Sequence, residues 1–151
     1  MKAVFWVYNE GMGTGADPIL NPDEATALLR EHGIAPTRQR VAVSAILFAC
    51  RQHMAASDLF RRVRASDTSI SRSTVYNTLE LFVEKGLLQE LNFGDSPRIY
   101  DTNLAPHHHL YHVDSGKIED LDVSQIKVKV PDEVLGNSSL VGVDVTLRVA
   151  G

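Results

Sequence analysis

The chain has 151 residues, room for one or two small domains, and its 44% hydrophobic and 23% charged residues are ordinary for a globular protein. No apolar run approaches the roughly 20 residues that span a bilayer, and the apolar start from Met1 to Tyr8 is too short for a secretory leader. The single cysteine, Cys50, excludes an intrachain disulfide framework and fits a reducing cytoplasm, with Cys50 expected as a small buried residue. The net charge of −4 is unevenly spread: residues 28–98 carry ten basic and seven acidic side chains, residues 99–151 four basic and eight acidic. A basic middle points to a polyanion, although charge alone does not separate this from variation along a soluble chain.

Residues 1–20 lack a clear period and hold Gly11, Gly13, Gly15 and Pro18, so they read as an arm. Asn21-Pro22-Asp23-Glu24 has the chemistry of a helix start, and Gly33 closes that helix. Thr37 caps a second helix with Val41, Ile46, Leu47 and Phe48 on its apolar side. A third covers about Ala56–Ala65, and a fourth runs from Ser71 or Ser73 to Lys85 with Val75, Leu79, Phe82 and Val83 at helical spacing. Leu87–Phe93, the turn cluster Gly94-Asp95-Ser96-Pro97 and Arg98–Asp101 then predict a β-hairpin. Helices followed by a hairpin outline a winged helix over 21–102.

Residues 103–151 read as a small antiparallel sheet, so the fold class is α+β. Leu110–Val113 and Lys117–Leu121 flank Asp114-Ser115-Gly116 as a second hairpin. The alternation of Val141, Val143, Val145 and Leu147 with polar residues predicts a third strand with one buried face. A three-stranded unit buries little alone and is expected to pair with a second copy. Its first strand opens on His107-His108-His109, with Asp101 before it and Asp120 after it. Imidazole and carboxylate together suit Fe, Mn, Co or Zn. Side chains alternate in an extended segment, so His107 and His109 make a pair while His108 faces away.

Four words stand in order: Pro36-Thr37-Arg38-Gln39-Arg40, His53–Leu59, Ser73-Thr74-Val75-Tyr76-Asn77-Thr78-Leu79, and the histidine triplet followed by Gly116-Lys117-Ile118. Over roughly residues 24–121 the chain resembles the ferric uptake regulator family. Val75–Leu79, Phe93-Gly94-Asp95 and Tyr100-Asp101 most resemble its peroxide-regulator (PerR) branch. The ending Val143–Arg148 is more similar to the haem-responsive iron response regulator (Irr) branch, although no Gly-Cys-Pro-Trp-like haem word stands near the N-terminus.

The resemblance implies a homodimeric winged-helix repressor, not an enzyme, whose binding to an inverted-repeat DNA operator depends on a regulatory metal. It implies His53, Asp101, His107, His109 and Asp120 as ligands of Fe(II) or Mn(II), with Zn(II) compatible, and His53 or His107 as the residue that peroxide oxidises. Asp120 depends on hairpin register, because a one-residue slip turns it away from His109. Metal bound by all five would tie the DNA-binding half to the dimerisation and metal-sensing half, across a hinge near Thr102–Pro106. One departure is plain: His112 and Ser115 stand where most members have a Cys-x-x-Cys pair, so no structural zinc held by four cysteines is expected.

For DNA, the start of the fourth helix supplies Ser71, Arg72, Ser73, Thr74, Tyr76 and Asn77. Hydroxyls at a helix N-terminus suit phosphates, while Tyr76 and Asn77 could reach base edges. Arg38 and Arg40 are candidates for gripping the backbone. A haem-responsive regulator is the alternative within the class. A small His/Asp metallohydrolase or a metal-storage protein are the rivals outside it. The first lacks an obvious general base and leaves the basic helical half unexplained.

Overall fold

The computed structural model describes residues 20–94 and 96–151, so nearly all of the arm read over 1–20 lies outside the described residues. The chain divides into two compact units after Leu104.

In the first unit the helix starts follow local chemistry. Helix α1 spans Pro22–Glu31; the Asp23 N–H donates to Asn21 Oδ1 (2.9 Å) and the Asn21 N–H to Glu24, a reciprocal capping box. Helices α2 (Arg38–Leu47) and α4 (Arg72–Glu84) are capped by Thr37 and Ser71, while α3 (Ala56–Ser66) lacks a side-chain cap. Helices α1 and α4 end alike, in glycines at positive φ: Gly33 (68°) and Gly86 (73°). At α4 the Gly86 N–H donates to the Val83 carbonyl and the Leu87 N–H to that of Phe82, closing the last turn.

Strands β1 (His53–Ala55), β2 (Gln89–Leu91) and β3 (Ile99–Asp101) form an antiparallel sheet in the order β1-β3-β2. The hairpin β2–β3 is the predicted wing. Strand β1 was not foreseen, since three residues against a helix start carry no readable alternation. Leu29, Val43, Leu47, Leu59, Val63, Val75, Leu79 and Phe82 are fully buried from all four helices, with Ile70 from the link between α3 and α4. Each such side chain contributes about 1.5–3 kcal/mol by leaving water. Cys50 is a correction: it lies in the turn after α2, outside the packed helix faces, and is partly exposed.

In the second unit, β4 (His108–His112), β5 (Ile118–Leu121) and β6 (Thr146–Val149) form a sheet in the order β5-β4-β6. The 121–146 link holds a 3-10 turn at Val123–Gln125 and a short helix, α5 (Asp132–Leu135). Two expectations need correction. The sheet is not wholly antiparallel: β6 pairs parallel to β4, because the long link lets the chain return in the same direction. The third strand is also short, and its residues are exposed, as is Val141. Its extent is set by β4, which offers β6 only the partners His109 to His112, so the alternation before Thr146 finds no edge. Among the described residues, no apolar side chain of this unit is fully buried, and none of the described helices is long and apolar enough to cross a membrane.

Candidate metal centre and nucleic-acid face

Each unit assembles its own share of the expected ligands. In the first, β3 lies between β1 and β2, and its last residue, Asp101, is the register partner of both His53 and Gln89. Cross-strand partners present their side chains to one face. The Asp101 carboxylate is fully buried. Its Oδ1 accepts from the Asn103 N–H (2.8 Å) and its Oδ2 from Gln89 Nε2 (2.9 Å), with His53 Nε2 3.6 Å from Oδ2. Gln89 also donates to the Asn103 carbonyl. Gln89 was missed, because a glutamine in a wing strand reads as a solvent residue; only hairpin register could have found it. Thr102 is tied to Gln52 by hydrogen bonds in both directions, so the chain is held to this unit through Thr102.

In the second unit, His109 is the register partner of Asp120, the alignment on which Asp120 depended. His107 Nε2 lies 2.9 Å from His109 Nε2 and 3.4 Å from Asp120 Oδ1, with the two rings edge to face at 4.5 Å between centroids. The other nitrogen of His107, Nδ1, is 2.6 Å from the Ala105 carbonyl. A carbonyl only accepts, so Nδ1 carries a proton, the tautomer in which Nε2, towards His109, is the nitrogen left to bind a metal. Such a bond to the far nitrogen is the usual support of a metal-binding histidine. The donor atoms of His107, His109 and Asp120 lie within 4.8 Å of one another. Two imidazole nitrogens and a carboxylate oxygen fit a borderline divalent ion.

The remaining histidines are engaged elsewhere. His108 Nδ1 accepts from the Val145 N–H (3.3 Å), on the β6 side of the strand. His112 Nε2 lies 2.7 Å from Glu119 Oε1, and Lys117 Nζ 3.1 Å from Glu119 Oε2. Lys117 and then His112 hold the Glu119 carboxyl below its ordinary value.

The DNA-binding candidates divide in two. Ser71, Arg72, Ser73, Tyr76 and Asn77 are exposed on α4, opposite its buried Val75, Thr78, Leu79 and Phe82. Ser71 Oγ, which caps the helix, also bonds the hydroxyls of Ser73 (3.0 Å) and Thr74 (2.8 Å). Thr74 and Asn77 line a polar cleft with Thr37, Gln39 and Arg40, and Arg40 donates to the Ala35 carbonyl (3.0 Å). Arg38 instead pairs with Asp67 and donates to Ser69. Bonds from Ser69 and then Arg38 bring the Asp67 carboxyl from 3.8 to about 2.

A four-helix unit with a β-hairpin wing, followed by a small sheet carrying histidine and aspartate donors, is the architecture of a metal-responsive winged-helix regulator. The chain belongs to the ferric uptake regulator family, whose model matches residues 31–149. It is 34% identical over 104 residues to the peroxide-responsive repressor PerR of Staphylococcus aureus strain Mu50, a match covering 69% of this chain and 70% of that one. Among solved structures, a zinc-bound manganese uptake regulator superposes with a TM-score of 0.63 at 26% identity, over 84% of this chain and 98% of that one. The ferric uptake regulator of Pseudomonas aeruginosa with manganese shares the fold, with a TM-score of 0.66 at 23% identity over 84% of this chain and 97% of that one.

Proposed function

We propose that this protein is a homodimeric transcriptional repressor that grips an inverted-repeat operator in its metal-bound form and senses peroxide through Fe(II). Mn(II) would occupy the same ligands without that sensitivity. The observation that carries the metal reading is the His107–His109 pair, whose Nε2 atoms stand 2.9 Å apart with the tautomer of His107 set by Ala105. Under this proposal His53 and Asp101 join His107, His109 and Asp120 on one ion.

Fe(II) held by these ligands would supply the redox chemistry by which peroxide places one oxygen on a ligand ring and leaves as water. The chain supplies the rest: Gln89 and Asn103 orient the Asp101 carboxylate, and Ala105 orients His107. His53 and His107 are the rings expected to take up oxygen, as the likeness to a peroxide-responsive repressor supports. An oxidised ligand loosens the metal and with it the DNA. The exposed face of α4 enters the major groove, and two copies reach half-sites about 34 Å apart.

Two measurements test this. Duplexes selected from a random pool with Mn(II) should contain an inverted repeat whose gel shift disappears on chelation; no shift with Mn(II), Fe(II) or Zn(II) refutes the regulator. Peptide mass spectrometry after Fe(II) and peroxide should show a one-oxygen gain on the peptide holding His53 or His107. Unmodified peptides with Fe(II) bound would make the protein an iron or manganese sensor instead.

A further inference from the structure

Phe60 lies half-buried on α3 and packs against the core. Two guanidiniums stand by its ring: Arg72 Cζ at 4.7 Å from the centroid and Arg64 Cζ at 5.7 Å. Both lie within the distance at which an aromatic ring attracts a cation. One ring therefore gathers a cation from the last turn of α3 and another from the first residue of α4.

Three features mark this pair and the helix start beside it. Among the described residues no carboxylate pairs with Arg64 or Arg72, whereas Arg38 is paired with Asp67, Arg61 with Asp58 and Arg98 with Glu90. Arg72 also sits where a cation is disfavoured, at the positive end of the α4 dipole, and no acid in that first turn offsets it. Finally, the cluster of Ser71, Ser73 and Thr74 hydroxyls lies beside it on the same helix start. Two unneutralised guanidiniums, a helix N-terminus and hydroxyl donors are complementary to an anion with several acceptor oxygens.

We infer that Arg64 and Arg72, held on Phe60, form a grip for DNA backbone phosphate that reads no bases and sets how deeply α4 seats. The inference rests on the DNA-binding reading above and adds Arg64 and Phe60 to its interface. The stacked ring limits where each long side chain can go, so less freedom is lost when phosphate binds.

The test is the salt dependence of binding by the full chain, with Mn(II), to a random-sequence duplex, followed by fluorescence anisotropy. Each phosphate neutralised contributes about 0.9 to the slope of log K against log salt. Arg64→Gln should lower that slope by about 0.9 and Arg64→Gln/Arg72→Gln by about twice that. Phe60→Leu, which keeps an apolar side chain against the core, should weaken binding while leaving the slope nearly as in wild type. Arg61→Gln, equal in charge change on the same helix, should leave affinity and slope unchanged. Equal slopes for wild type and Arg64→Gln, with matching melting temperatures, would overturn the grip alone. Absence of wild-type binding to any duplex would overturn the DNA reading and the grip with it.

Discussion

Asp67 shows how a single residue decides which basic side chains remain available. Its carboxyl is brought from 3.8 to about 2 by Ser69 and Arg38. A folded-state value below the unfolded one contributes stability that is complete above the ordinary value and fades as pH falls towards the lowered one. Asp67→Asn should therefore lower the melting temperature at neutral pH, with the gap to wild type closing between pH 3.8 and about 2; a gap that stays constant across that window would contradict the pairing. The candidate site residues differ in how far their placement was legible in the sequence. The His107–His109 pair followed from alternation alone, because period two is a property of any strand. Asp120 needed the register of a hairpin whose turn, Asp114-Ser115-Gly116, was itself readable. His53 was legible only through resemblance, since its partner Asp101 comes from a strand far along the chain. Gln89 and the Ala105 carbonyl were not legible, because a side chain or carbonyl that orients a ligand has no signature of its own.

At the scale of elements, helices and hairpin strands were legible, while strand β1 and the bounds and direction of β6 were not. Helix starts and ends are written in local chemistry: Asn21, Thr37 and Ser71 cap, and Gly33 and Gly86 stop. Strand β1, and the extent and parallel direction of β6, depend on a partner far along the chain, which no local pattern encodes. Gly86 makes the point measurable. A Cβ added there would meet no neighbour, so the cost of substitution is backbone strain at φ 73° alone. Gly86→Ala should destabilise the first unit by about 1 kcal/mol in urea unfolding, through the end of the helix that presents Tyr76 and Asn77. A change near zero would mean that α4 can end another way.

For the whole molecule, the two units differ in how they are held together. The first has a packed core from four helices. The second has none among its described residues, and Leu147 and Val149 of β6 are exposed by 43% and 37%. If the proposed dimer covers this strand, Leu147→Glu should convert the protein to monomer in sedimentation equilibrium while leaving the α-helical circular dichroism of the first unit intact. A dimer that survives the charge would place the interface elsewhere. The parallel pairing of β6 has a further consequence, for the order of assembly. Strands β4 and β5 are joined by the five residues 113–117, whereas β6 returns only after the 24 residues 122–145. Closing a loop costs about 0.6 kcal/mol more for each doubling of its length. His109 and Asp120 thus meet as a local hairpin event, on the microsecond scale of such turns, and the distant strand docks onto them afterwards. Pulse-labelled hydrogen exchange during refolding should protect the β4–β5 amides before those of Thr146–Val149.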